Sequence, residues 1–170
     1  MTQRVFGITG WKNSGKTTLT EKLVTEFTTR GWKISTVKHA HHDFDIDQPG
    51  TDSFRHREAG ASEVAIVSGR RWALMHELRG EAEPTLEHVL SRMAPCDLVL
   101  VEGYKREGHR KIEARRSLAK DTQPISMDDP TILAIACDSP QTGEALPVFD
   151  LNDVSAIADF IEKAAGLAKT

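Results

Sequence analysis

The sequence predicts an α/β fold, with a mainly parallel sheet, helices on both faces and a β-hairpin extension. Three observations carry that prediction. Short apolar runs alternate with amphipathic helical stretches. The runs in Asp97–Val101 and Ile132–Ala136 are uniformly apolar, as in strands buried on both faces. The chain also opens on a strand, a glycine-bearing loop and a helix.

The elements follow in order. Val5–Thr9 is the first strand, and the next helix carries Leu19, Leu23, Val24 and Phe27 on one face before Gly31 ends it. Trp32–Val37 is the second strand. Lys38–Asp52 is a polar stretch with a Pro49-Gly50 turn, too long and too special in composition for a mere connector. A short helix covers Asp52–Ala59. Glu63–Val67 and Arg71–Leu78 flank Ser68-Gly69-Arg70 as a hairpin. Pro84 opens a helix with Leu86, Val89, Leu90 and Met93 at helical spacing. Strands follow at Asp97–Val101, Lys111–Arg115, Ile132–Ala136 and Leu146–Phe149, and a last helix carries Val154, Ile157, Ala158, Ile161 and Ala165. The 170 residues, without repeat or linker, suit a single domain spanning 1–170.

Composition narrows the function classes. Apolar residues make up 39%, and 22 basic against 25 acidic side chains leave a formal charge of −3. This excludes a disordered or membrane-embedded chain and gives no support to a general nucleic-acid binder. MTQRVFGITG has no apolar signal core, and no run is long enough to span a bilayer, so a cytoplasmic protein is expected. Cys96 and Cys137 read as reduced core cysteines without zinc-site spacing.

Gly10-Trp11-Lys12-Asn13-Ser14-Gly15-Lys16-Thr17 fits GxxxxGK[ST] in full, between a strand and a helix. The fold class thereby becomes a P-loop NTPase three-layer sandwich. Glycines let backbone N–H groups curl around a phosphate, and the helix amino terminus adds partial positive charge. Lys16 is expected to bridge β- and γ-phosphates, Thr17 to ligate Mg²⁺, and Thr18 to complete the contacts. Lys12 points to a phosphate of its own or a neighbouring subunit's nucleotide, or simply to solvent.

Glu102 follows the apolar strand at its carboxyl end, where α/β proteins bind ligands, and is the candidate catalytic and Mg²⁺-organising acid. Asp97 lies at the other end of that strand, roughly 16 Å away. The cluster from Lys38 to Asp47 leaves the second strand towards the phosphate site. Among its carboxylates Asp45 is the candidate for Mg²⁺, with Asp43 and Asp47 as alternatives. His39 and His42 are candidates for an anionic substrate. A transition-metal site in this histidine loop is an alternative with weaker spacing. Arg55 and Arg57 diverge by about 200° on a helix, so at least one is expected to face an anionic ligand or partner. NKxD is absent, but Asp138 follows a buried strand where a carboxylate would favour the donors of guanine over adenine.

GWKNSGKTTL, VKHAHHDFDIDQPGTDSFRHREAGA, VEGYK and KIEARR together resemble the molybdopterin-guanine dinucleotide biosynthesis adapter proteins, the MobB family, over essentially the whole chain. The resemblance implies a GTP-binding homodimer with Mg²⁺ and weak intrinsic GTPase activity. It implies a partner, the molybdenum cofactor guanylyltransferase that joins GMP to molybdopterin, with molybdopterin itself as a further candidate ligand. It carries phosphate binding onto Gly10–Thr17 and the Walker B position onto Glu102. Two alternatives use the same residues. A P-loop small-molecule kinase would take Lys105, Arg106, His109 and Arg110 as its lid, and a metal-delivery GTPase would use the histidine loop.

Overall fold

The computed structural model describes residues 3–40, 44–139 and 143–168. Its elements run β1 (Val5–Thr9), α1 (Lys16–Thr29), β2 (Ile34–Lys38), α2 (Asp52–Glu58), β3 (Glu63–Val67), β4 (Trp72–His76), α3 (Leu86–Arg92), β5 (Leu98–Glu102), β6 (Lys111–Arg115), β7 (Ile132–Cys137), β8 (Val148–Asp150) and α4 (Val154–Ala165). A 3₁₀ turn at Ile125–Met127 precedes β7. Contacts divide the chain into two compact units, one of residues up to His39 and from Leu90 onward, the other from Ala40 to Val89.

The first unit holds a six-stranded sheet in the order β2-β5-β1-β6-β7-β8, with every neighbouring pair parallel. All carboxyl ends therefore share one edge, and β1, with the phosphate-loop motif behind it, lies between β5 and β6. Strand alternation sends Phe6, Ile8, Leu98, Leu100, Ile112, Ala114, Ala134 and Ala136 into one core with α1 and α4. The helices contribute Leu19, Leu23 and Phe27, four residues apart, and Ile157, Ala158 and Ile161. Each large apolar side chain buried here stabilises the unit by about 1.5–3 kcal/mol.

The other face of the sheet is buried too, and polar residues do part of that work. Lys111 is fully buried, and its ammonium donates to Thr131 Oγ1 at 2.6 Å, Asp129 Oδ2 at 3.2 Å and the Glu107 carbonyl. Glu113 accepts the amides of Ile125 and Ser126 at 2.9 and 3.0 Å and Arg115 Nη2 at 2.8 Å. Gly7 makes room for His109, since a Cβ there would lie 2.5 Å from His109 Nε2.

The second unit packs α2 beside the antiparallel hairpin β3–β4, burying Val64 and Met75. The register pairs Ala65 with Leu74 and Val67 with Trp72 on the hairpin's opposite face, where Val67, Trp72 and Leu74 are exposed.

Some boundaries differ from the sequence expectation for local reasons. The Trp32 amide donates to the Phe27 carbonyl at 3.0 Å, so Trp32 closes α1 and β2 begins at Ile34. Thr85 Oγ1 accepts the His88 amide at 3.1 Å, so α3 is capped by Thr85 and starts after Pro84. Cys137 is buried as expected, whereas Cys96 is only half-buried.

Candidate functional site

The loop between β1 and α1 needs left-handed backbone at three places: Gly10 (φ 147°), Asn13 (φ 64°) and Gly15 (φ 91°). A Cβ on Gly10 would come within 2.3 Å of Ser14 Oγ and 2.5 Å of the Ala114 carbonyl, so the loop curls tightly against β6. Lys16 Nζ reaches back to donate to the Trp11 carbonyl at 2.6 Å. The α1 amino terminus has no side-chain cap and no acidic residue in its first turn. The hydroxyls of Thr9 and Ser14 are buried without a hydrogen-bond partner. Burial, with Lys105 and Lys38 nearby, lowers the Lys16 pKa against the opposing pull of Glu102. Unspent donors, an open helix amino terminus and crowded cations make a site that fits an anion such as a nucleotide phosphate.

Beside it, Thr17 Oγ1 donates to Glu102 Oε1 at 2.7 Å, and Lys38 Nζ lies 3.8 Å from the same oxygen. The register explains the meeting, because Glu102 stands between Ile8 of β1 and Lys38 of β2. The His39 amide donates to the Glu102 carbonyl at 3.0 Å, and the His39 ring lies 4.8 Å from that of Tyr104. Thr17, Lys38, His39 and Glu102 thus gather at one edge. The hydroxyl and carboxylate are oxygen donors of the kind Mg²⁺ takes alongside phosphate and water. Among the described residues no three His, Cys, Asp or Glu side chains form a self-sufficient metal cluster.

Asp45 and Arg57 belong to the second unit and are paired with each other. Arg57 donates to Asp45 at 2.7 Å and Glu77 at 2.9 Å, with Asp47 at 3.6 Å. The Arg57 hydrogen bond holds the Asp45 carboxyl below the usual carboxylate range. The sequence assigned Asp45 to a metal and Arg57 to an anion, whereas here each neutralises the other. Arg55 is exposed, 3.9 Å from Asp52. His42 lies outside the described residues.

On the β6–β7 side, Trp11, Ser14, Arg116, Ser117, Gln123 and Ser139 line a cleft against the phosphate loop. Trp11 Nε1 donates to the Gln123 carbonyl at 2.7 Å, and the Lys105 ammonium sits 3.7 Å from the indole centroid. Asp138, exposed at the end of β7, accepts the Ser117 amide at 2.9 Å. The sequence reading quoted Arg116 only within KIEARR and gave neither it nor the segment to Gln123 a role of its own; the signal available was an arginine directly following the end of a strand.

The proposed lid residues separate. Lys105 stays with Trp11, while Arg110 donates to the Ala164 carbonyl and His109 is packed on Gly7. Both lie at the amino end of β6, away from the phosphate loop. Burial, assisted by Lys111, depresses the His109 pKa to about 4.

Residues 5–138 match the sequence model of the family described as Molybdopterin guanine dinucleotide synthesis protein B. The chain is 39% identical over 159 residues to the molybdopterin-guanine dinucleotide biosynthesis adapter protein of Escherichia coli K12, covering 92% of this chain and 90% of that one. It is also 39% identical over 160 residues to the protein of the same description from Haemophilus influenzae, covering 93% and 87%. The crystal structure of a MobB protein homolog from Bacillus stearothermophilus superposes with a TM-score of 0.71 at 29% identity, covering 98% of this chain and all of that one. With the family match running through both units and the relatives aligned nearly end to end, the chain belongs to the molybdopterin guanine dinucleotide synthesis protein B family.

Proposed function

We propose that this protein is a GTP-binding adapter in the synthesis of molybdopterin guanine dinucleotide, assisting a guanylyltransferase partner that attaches GMP to molybdopterin. The observation that carries the reading is the hydrogen bond from Thr17 to Glu102 beside a loop whose buried hydroxyls lack partners. The names of the two relatives at 39% identity support the pathway.

In this reading the backbone amides of Gly10–Thr17 cradle the phosphates, and Lys16 exchanges the Trp11 carbonyl for a phosphate oxygen. Thr17 and Glu102 would hold Mg²⁺, whose bound charge offsets that of the phosphates. Asp138 reads the guanine edge. Hydrolysis is slow, below roughly 1 s⁻¹, with the arginine finger that would speed it left to a partner or a second subunit. Functionally the nucleotide acts as a signal for docking more than as fuel.

Isothermal titration of GTP with Mg²⁺ into wild type and Lys16→Ala tests the nucleotide reading, and the variant should lose nearly all binding. Guanylyl transfer to molybdopterin by the partner enzyme, with and without this protein, tests the adapter role. An unchanged rate removes that role even if GTP binds.

A further inference from the structure

Two consecutive arginines leave the end of β6, and their fates differ. Arg115 is neutralised by Glu113 at 2.8 Å and by Glu144, and it also donates to Ser126 Oγ at 2.8 Å. Arg116 is half-buried, yet among the described residues no carboxylate or carbonyl accepts from its guanidinium. It rests on the phosphate loop, so that a Cβ built on Gly15 would meet Arg116 Nε at 2.7 Å and Cζ at 3.2 Å. Gly15 is the uncapped amino terminus of α1, and Lys16 follows it. An unpaired guanidinium held against the positive end of a helix repels its surroundings unless an anion shares the place. Asp121 also lines the cleft, but it accepts the Gln123 amide at 3.0 Å.

The sheet order says which part of an anion Arg116 meets. Thr17, Glu102 and Lys38 lie on the β5–β2 side of β1, while Arg116 lies on the β6–β7 side with Asp138. A nucleotide whose metal-bound γ end sits on the first side passes its α- and β-phosphates beneath the second.

We propose that Arg116 binds the α,β-diphosphate of the nucleotide in cis, as an affinity residue distinct from a γ-phosphate finger. This rests on the nucleotide-binding reading above. The fork of the guanidinium suits two phosphate oxygens, and the Gly15 backbone, lacking a side chain, lets the ligand approach.

The test is titration of GTP and of GDP, each with Mg²⁺, into wild type, Arg116→Ala, Arg116→Lys and Lys16→Ala. Arg116→Ala should weaken GTP and GDP alike, by about tenfold or more, and lysine should restore part of the loss. Nucleotide-free thermal midpoints equal to wild type separate this effect from misfolding, and Arg116→Gln carries the test if the alanine variant is unstable. Unchanged affinity for both nucleotides, or a loss confined to GTP, overturns the proposal. A wild type that binds neither nucleotide, or a Lys16→Ala that binds as wild type does, overturns the underlying nucleotide reading along with it.

Discussion

The Thr17 hydroxyl and the Glu102 carboxylate meet at 2.7 Å, tying the first turn of α1 to the carboxyl end of β5. Two residues 85 positions apart are joined because β1 and β5 are neighbours in register. If this pair is the Mg²⁺ seat, Thr17→Ala should bind GTP in Mg²⁺ no better than wild type binds it in EDTA. Titrations with and without chelator measure the difference. A Mg²⁺ enhancement of the same size in the variant refutes the assignment.

Asp138 has a competitor for its carboxylate in the Ser117 amide at 2.9 Å. The Ser117 hydroxyl also donates weakly to the second oxygen at 3.4 Å, yet the side chain remains exposed at the carboxyl edge. Asp138→Asn should cost GTP about 1.5–3 kcal/mol and bring GTP and ATP affinities together. Competition between the two nucleotides reads this directly. Wild type holding ATP as tightly as GTP would remove the guanine preference altogether.

The hairpin face bearing Val67, Trp72 and Leu74 is apolar and exposed in the single chain, with Trp72 69% accessible. Such a face on a two-stranded ribbon has open edges as well, which favours pairing with a second copy. The protein should be a homodimer at micromolar concentration, and Trp72→Glu should shift it to monomer. Light scattering giving a monomer mass for wild type contradicts this.

His109 should make the protein acid-sensitive. Its folded pKa, about 4, lies below the ordinary value near 6.5, so the neutral ring is favoured by folding. The stabilisation is complete above pH 6.5 and is lost as pH falls towards 4. By pH 5 the loss should be on the order of 1 kcal/mol, after allowing for screening of a partly exposed group. Urea midpoints at pH 7 and pH 5 give it by difference, and His109→Gln should flatten that dependence. Equal pH slopes in the two proteins would show that carboxylates such as Asp129 carry the effect instead.

What the sequence made legible was local or periodic. The phosphate loop is contiguous, the hairpin announces itself through Ser68-Gly69-Arg70, and Glu102 follows from strand polarity alone. What it hid depends on tertiary partners. Lys111-Ile112-Glu113 alternates like a half-exposed strand, yet both charged residues are interior because Asp129, Thr131, Ile125 and Ser126 come from a distant segment to receive them. The acidic loop offered Asp45 to a metal because nothing in its spacing reveals that Arg57, itself bonded to Glu77, pairs with Asp45. Arg115 and Arg116 look equivalent side by side, and only the folded chain distinguishes Arg115, paired with Glu113, from Arg116, whose guanidinium has no acceptor among the described residues.

Lys111 has a chemical consequence as well as a structural one. Its amine has no exposed surface and is enclosed by three oxygen acceptors at the entrance to β6. An acylating reagent that modifies surface lysines such as Lys12 within minutes therefore has no path to this nitrogen in the folded chain. Covalent labelling at Lys111, read by peptide mass spectrometry, becomes a clock for opening of the sheet at that point. The same burial keeps the residue out of reach of acetylating or ubiquitin-transferring enzymes for as long as β6 stays in place.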